Sequence, residues 1–511
     1  MTEDARASVA RRRLDAALLL GAPACGLALM LFVDLEPGAP LVTRTAAITV
    51  WMAIWWLTGV VPLAVTALLP LVLFPALGVM PADKTPSYYV NDVIFLFLGG
   101  FMVALAMERW NLHRRIALAM LVFFGVHPRR MLLGFMAPTF FLSMWISNTA
   151  TTMMIVPIAM AMIVRFEQTH NDPAFKRYAV GLLLGIAYSA SIGGVATLIG
   201  TPPNLAFTRI FAEMFPQAPE ISFLTWFLFG APLALVLLAA LWGLLVMIFC
   251  PSRERFHIDP GVVRDQYRAL GPMNYEERAV ATVFALMAVL WLTRPGIAIG
   301  GLSIPGWAGA FPYPEYLRDG VVAIAMAIIL FMLPSRGESG KRIMDWAATR
   351  DLPWDIVLLL GGGFALAAGF QASGLSVWVG ERLAGLADLN PAGMVLMVCL
   401  IAALLTEFTS NSATAQVLLP IVGTLAIGLR LHPLLLMIPT TFACSFAFML
   451  PVATPPNAIV FGTRRLTVPT MVHVGGILIL VCAIALTAAI LTLGRLVFGI
   501  DLAEFPAWAA P

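Results

Sequence analysis

Residues 147–151 read SNTAT and residues 410–414 read SNSAT. Each small polar run lies inside a long apolar stretch, 131–165 for the first and 392–428 for the second. Unpaired backbone and polar side chains find no partner in hydrocarbon, so such runs have to line a protein-enclosed cavity or hold a ligand. The bilayer setting follows from composition. Of 511 residues, 60% are hydrophobic and 12% charged, with mean hydropathy +0.90, whereas a soluble domain carries roughly 25% charged residues. Apolar blocks recur from 15–33 to 474–498, each near the ~20 residues that span a bilayer or long enough to cross twice. The chain reads as an all-α polytopic membrane protein, and its long apolar runs exclude an outer-membrane barrel. A net charge of +3 is too small to suggest a nucleic-acid partner. The five cysteines are scattered without a CxxC and read as apolar filler.

Basic residues cluster in loops and set the topology. Arg6, Arg11, Arg12 and Arg13 place the N-terminus in the cytoplasm, and the first apolar stretch, lacking a cleavage site, reads as a retained helix. Arg109, Arg114, Arg115, Arg129 and Arg130 place 109–130 inside as a loop, and Arg165, Lys176 and Arg177 do the same for 165–177. The stretch 131–165 therefore starts and ends on one side, as two crossings or as a re-entrant hairpin. Arms of about 16 residues on either side of SNT are short for full spans and favour the hairpin. The second motif is flanked by nearly neutral segments that read as external. Arg464 and Arg465 mark a later internal loop, which leaves the C-terminus outside.

The two motifs align at a constant offset of 263 residues. Upstream, the same offset pairs Asp92 with Asp355, Gly99 and Gly100 with Gly362 and Gly363, and Leu112 with Leu375. Downstream, TPPN at 201–204 pairs with TPPN at 454–457 after a ten-residue slip. This is an internal duplication, and the topology makes it inverted. Inverted repeats with broken polar segments at corresponding positions point to the binding site of a secondary transporter. A double proline inside a helix is expected to break its hydrogen-bond ladder and free carbonyls for a ligand. Carbonyl, hydroxyl and amide oxygens suit a hard cation, and the helix N-termini at the same breaks suit an anion. No Arg, Lys or His lies in either tip or either TPPN, so a dianion would be held by neutral donors and co-bound cations. The LGGF and LGGGF stretches read as close helix contacts, because no GK[ST] follows. The histidines form no metal spacing. Glu108 reads as a surface or interface charge. Glu407, one turn before the second tip, reads either as functional or as a structural partner within its hairpin.

SNTAT, SNSAT, the two TPPN stretches, residues 55–80 (WWLTGVVPLAVTALLPLVLFPALGVM) and 353–367 (PWDIVLLLGGGFALA) together resemble the divalent anion:sodium symporter family, the INDY-type carriers of dicarboxylates, citrate or sulfate. The resemblance covers roughly 45–500. It implies eleven transmembrane helices and two re-entrant hairpins, 131–165 and 392–428, in a homodimer whose transport domain moves like an elevator against a scaffold. The helices fall near 15–33, 45–60, 62–79, 93–108, 178–209, 221–250, 279–294, 320–334, 354–372, 433–463 and 474–498. The expected division is a tail and first helix at 1–44, a first repeat at 45–250, a cytoplasmic loop at 251–278, a second repeat at 279–498 and a tail at 499–511. By the same resemblance one sodium ion would take Ser143, Ser147, Asn148 and the carbonyl of Gly200, and a second Thr406, Thr409, Asn411 and the carbonyl of Ala453. The substrate would meet Ser147, Asn148 and Thr149 from one tip and Ser410, Asn411 and Ser412 from the other, with Thr201, Pro202, Thr454 and Pro455 lining the pocket. The second tip departs from the family's usual SNT: Ser412 keeps the hydroxyl and loses a methyl, worth up to ~1 kcal/mol of contact.

The function expected is sodium-coupled import of a divalent anion, a C4-dicarboxylate first, across a bacterial inner membrane. A sodium-independent exchanger and a sulfate or citrate carrier are the alternatives on the same fold. A membrane enzyme would need a nucleophile–base set or a metal cluster that the sequence does not supply.

Overall fold

The computed structural model describes residues 3–510 except 125–126, 170–172, 251–260, 300–301, 338–339, 384–389 and 503. The first half of the chain runs through α1 (Glu3–Phe32), α2 (Pro40–Thr58), α3 (Leu63–Thr66), α4 (Leu69–Ala76), α5 (Asp92–Arg109), α6 (Leu112–Phe124), α7 (Pro128–Ser143), α8 (Asn148–Thr169), α9 (Pro173–Gly194), α10 (Pro202–Met214) and α11 (Phe223–Phe249). A short α12 (Gly261–Ala269) lies within the expected 251–278 loop, of which 251–260 fall outside the described residues. The second half has α13 (Tyr275–Thr293), α14 (Asp319–Met332), α15 (Trp354–Ser373), α16 (Leu375–Leu383), α17 (Pro391–Thr406), α18 (Asn411–Gly428), α19 (Pro433–Ala443), α20 (Pro455–Gly462) and α21 (Val468–Phe498). Between α13 and α14 sits one antiparallel hairpin of β1 (Ile297–Ile299) and β2 (Leu302–Ile304).

The repeat is visible element by element, α5 to α11 matching α15 to α21. The turn from α5 to α6 bends the chain by 69° at Asn111, with φ 57°, and the matching turn to α16 uses Gly374, with φ 78°. Asn and Gly are the residues that enter this left-handed region most readily. Several expectations change here. Within the 109–130 segment, 112–124 are helical as α6: His113, Arg114 and Arg115 all fall in its first turn, and the apolar remainder packs on α7 and α12. The expected 62–79 helix is divided into α3 and α4: α3 starts after Pro62, and Pro70 lacks a donor and crowds the carbonyl of Thr66, where α3 ends. α2 begins at Pro40 and α13 at Tyr275, so the divisions at 44/45 and 278/279 fall inside helices. Among the described residues, seven helices are long and apolar enough to cross a membrane, or eight if α5 and α6 count as one broken span.

The two halves interlock. α14 of the second half packs along α5 of the first, and α3 of the first packs along α15 of the second. The duplicated glycines make both contacts: a Cβ on Gly99 would lie 2.6 Å from Ala323, and one on Gly362 2.6 Å from Ala67. LGGF and LGGGF are thus close helix contacts, as the missing GK[ST] implied. One apolar cluster gathers α2, α3, α4 and α15 around Trp56 and Phe74, with Ala413 and Val417 of α18 joining it. A larger cluster gathers the hairpins, α9 to α11 and α19 to α21.

Polar ties fasten the loops that bear the basic residues. Arg115 is buried and grips Glu277 with two nitrogens at 3.0 and 3.1 Å, while its third donates to Gly271 O at 2.8 Å. Arg115→Ala leaves a buried carboxylate unpaired and is expected to cost about 3–5 kcal/mol of stability. Arg115→Lys should not rescue it, since a point charge cannot reproduce the fork. Thermal unfolding of the detergent-purified protein measures both. Nearby, Arg109 donates to Asp345 at 2.8 Å, and that hydrogen bond holds the Asp345 carboxyl below the usual range.

Candidate binding site at two hairpin tips and two helix breaks

α7 is 16 residues long, about 24 Å at 1.5 Å per residue, short of the ~30 Å hydrocarbon core. Its chain turns at 144–147 and returns as α8; α17 and α18 turn likewise at 407–410. The first return arm is longer than expected, 22 residues for α8, because it continues past the apolar block to Thr169; α18, with 18 residues, ends with its block at Gly428. The tips carry the motifs, each at the start of a return helix.

The breaks lie upstream of TPPN rather than at it. α9 ends at Gly194 and α10 begins at Pro202; α19 ends at Ala443 and α20 begins at Pro455. Proline suits a first helical turn, where no amide donor is needed, so the double proline restarts a helix instead of breaking one. Thr201 and Thr454 are the residues before these restarts, and Thr454 Oγ1 accepts from Asn457 N at 3.3 Å. What unwinds is 195–201 and 444–454.

The two tips and two restarts open into one cavity of 710 Å³. Ser147, Asn148, Thr149, Gly200, Thr201 and Pro202 line it from the first repeat, and Thr409, Ser410, Asn411, Ser412, Ala453, Thr454 and Pro455 from the second. Four helix N-termini, of α8, α10, α18 and α20, therefore face the same space. All four turn the positive end of a helix dipole toward it. Free N–H groups come from α8 and α18, because α10 and α20 open on paired prolines and their next amides, Asn204 N and Asn457 N, already donate to Thr201 O and Thr454 Oγ1. Ser147 Oγ caps Ala150 N at 3.1 Å in the first tip, whereas no side chain caps α18 in the second. Among the described residues lining the cavity there is no Lys, Arg or His.

Ser143 and Thr406 do not line the cavity. They are fully buried behind the tips, in equivalent contacts: Ser143 Oγ donates to Asn148 Oδ1 at 2.5 Å, and Thr406 Oγ1 to Asn411 Oδ1 at 2.7 Å. Gly200 lies close to Asn148 through Gly194: a Cβ on Gly194 would sit 2.8 Å from Asn148 Oδ1 and 3.1 Å from Gly200 O. Thr409 Oγ1 bonds Thr414 Oγ1 at 2.6 Å. Each half thus presents hydroxyl, amide and carbonyl oxygens, a hard and neutral donor set that fits an alkali cation and not a soft metal.

Some roles were not legible in the motifs. Glu407 is buried and accepts three backbone donors, Phe448 N, Met449 N and Leu450 N, at 2.6, 2.7 and 2.9 Å. It is a structural partner that pins the second unwound segment. Glu108 lines the cavity with Asp351 at one end, where the sequence suggested a surface or interface charge. Phe408 and Val452 stand exposed in the cavity wall, at 74% and 84%. Asn204 and Asn457 hold carbonyls of the unwound segments.

A duplicated pair of hairpins meeting two broken helices, with polar groups converging on one cavity, is the architecture of a membrane transporter. Residues 25–500 match the model of the sodium:sulfate symporter transmembrane region, and the chain belongs to that family. It is 41% identical over 466 residues to a sodium-dependent dicarboxylate transporter, SdcS, of Staphylococcus saprophyticus, covering 90% of this chain and 87% of the relative. To the SdcS protein of a Staphylococcus aureus strain it is 40% identical over 464 residues, covering 89% and 86%. Among solved structures, MtrF of Neisseria gonorrhoeae shares the fold at TM-score 0.55 and 14% identity, over 96% of this chain and 100% of that one. The YdaH transporter of Alcanivorax borkumensis does so at 0.54 and 14%, over 89% and 99%.

Proposed function

We propose that this protein imports a C4-dicarboxylate such as succinate, malate or fumarate together with sodium. The observation that carries the reading is the convergence of two equivalent neutral oxygen clusters and four helix N-termini on one cavity. Sodium would take Ser143, Ser147, Asn148 and Gly200 O in one half, and Thr406, Thr409, Asn411 and Ala453 O in the other. The two carboxylates would meet the hydroxyls, amides and free N–H groups of Ser147, Asn148 and Thr149 and of Ser410, Asn411 and Ser412, with Thr201, Pro202, Thr454 and Pro455 closing the walls. Since no cationic side chain among the described residues lines the cavity, the ions supply the charge that the dianion requires. An empty site then binds the anion weakly, and sodium gates it by differential affinity.

The cavity wall includes Glu108, Asp351 and Pro353, at the end of α5 and α15 that bears Arg109, Arg114, Arg115 and Arg350. By the bias of basic residues toward the cytoplasm, this arrangement is inward-facing, with the N-terminus inside, the C-terminus outside and eleven crossings besides the hairpins. α2 to α5 and α13 to α15 form the scaffold, and the hairpins with α9 to α11 and α19 to α21 form the moving domain, in a homodimer in the bacterial inner membrane. The apolar Phe408 and Val452 would slide along the scaffold wall as the site crosses.

The test is uptake of radiolabelled succinate into proteoliposomes without internal anion. An inward sodium gradient should drive accumulation, and choline should not. Uptake that ignores sodium but needs preloaded dicarboxylate would mean exchange; no uptake in either case would remove succinate and leave sulfate and citrate to be tried.

A further inference from the structure

Asn204 and Asn457 end the two TPPN stretches, and neither lines the cavity. Both are fully buried. Asn204 Nδ2 donates to Gly194 O at 3.3 Å and to Thr197 O at 2.7 Å. Asn457 Nδ2 donates to Ala447 O at 3.1 Å and to Leu450 O at 3.0 Å. With the offset of 253 residues that relates the two TPPN stretches, all three positions correspond: 194 to 447, 197 to 450 and 204 to 457. Each amide therefore closes its own unwound segment in the same way, from the first turn of the helix that follows.

The rest of the two segments has diverged. In the first, Thr197 Oγ1 donates to Met144 O at 2.5 Å and accepts from Gly200 N at 3.2 Å. In the second, the Glu407 carboxylate takes three backbone N–H groups instead. The first segment spans 195–201 and the second 444–454. A contact kept at matching atoms while its surroundings changed marks what both segments need. What they share by position is a residue of the cavity lining just before the restart, Gly200 or Ala453, each with a backbone carbonyl.

We propose that Asn204 and Asn457 are positioning residues for sodium. By fixing two carbonyls at each break, in the first case that of Gly194 at the end of α9 and that of Thr197, their Nδ2 groups hold the carbonyl of Gly200 or Ala453 at cation-binding geometry. The cation then meets a preformed oxygen cradle and avoids the cost of ordering a loose loop. Among the described residues each side-chain Oδ1 has no hydrogen-bond partner, which supplies the means to separate donor from acceptor. Asn→Asp keeps an oxygen in place and removes both N–H donors.

The inference rests on the sodium reading above, and the experiment distinguishes the two. Detergent-purified protein is melted with sodium or with choline, and the sodium dependence of succinate uptake is measured in proteoliposomes. The unmodified protein should melt higher in sodium. Asn204→Asp and Asn457→Asp should each raise the sodium concentration for half-maximal uptake about tenfold, with the succinate KM at saturating sodium changed less than about threefold. Each should also lose most of the sodium-induced thermal shift. If Asn204→Asp does not fold, Asn204→Ser, which keeps one short donor, is read in its place. Variants that keep the unmodified sodium dependence would overturn the positioning role while leaving the sodium sites intact. An unmodified protein with no response to sodium would overturn both readings.

Discussion

Asn148→Ala and Asn411→Ala are each expected to lower sodium-driven succinate uptake at least a hundredfold. Each amide stands at two boundaries at once. Its oxygen is already held by a buried hydroxyl, Ser143 at 2.5 Å or Thr406 at 2.7 Å, and its residue opens a helix whose free N–H groups face the cavity. Removing it strands the hydroxyl that pointed at it and, on the proposed reading, deprives a cation of an oxygen and empties one side of the anion's cradle. A stranded buried polar group costs about 1–3 kcal/mol, and a lost ligand adds a similar amount; about 2.7 kcal/mol already corresponds to a hundredfold. The hydroxyl of Thr406 has a second acceptor in Cys444 O at 2.9 Å, which Ser143 lacks among the described residues. Asn411→Ala should accordingly unfold less readily than Asn148→Ala while losing as much uptake. Initial rates in proteoliposomes, normalised to reconstituted protein, read the effect. A variant retaining a tenth of the rate would move its tip out of the binding site.

Glu407→Leu is expected to cost about 3 kcal/mol of stability, because it leaves three amide donors unpaired, the buried Phe448 N and the half-buried Met449 N and Leu450 N, at about 1–3 kcal/mol for each buried group. Glu407→Gln keeps one acceptor oxygen and should fall between. The readouts are thermal unfolding in detergent and the monodisperse fraction on size-exclusion chromatography. An acid at membrane depth is by default a candidate for ion or proton traffic. The structure instead engages both its oxygens with the backbone of 448–450. A Glu407→Leu protein as stable as the original but with altered sodium dependence would reverse that assignment.

The sequence carried the architecture at the level of matched residues. Identical tetrapeptides and a fixed offset expose the duplication whatever the helix boundaries are, and two polar runs flanked by short apolar arms expose the hairpins. The candidate cavity was legible for the same reason: the motif residues at the tips and restarts line it together. Other features depend on partners far along the chain. α6 was read as a loop because 13 residues with three basic positions carry little hydrophobic signal, and its packing on α7 and α12 is tertiary. Ser143 and Thr406 come from the family resemblance and fit the repeat, one turn before each motif serine, but their burial behind the cavity has no signal in sequence. Nothing near Glu407 in sequence announces that its partners lie 41 to 43 residues later. TPPN was read as the point of rupture because proline cannot sit in a helix interior; its tolerance at a first turn places it at the restart, a distinction that requires knowing where the preceding helix stops.

The glycine contacts that cross between the halves set an order of events during synthesis. Gly99 on α5 packs against Ala323 on α14, which leaves the ribosome 224 residues later. At ~5–20 residues per second this is a wait on the order of 10–45 s. During that time α5 sits in the membrane with its small-residue face toward lipid or toward an insertion chaperone. The newborn first half therefore has no finished form of its own, and a chain truncated before α14 should be a substrate for quality-control proteolysis instead of a stable half-transporter.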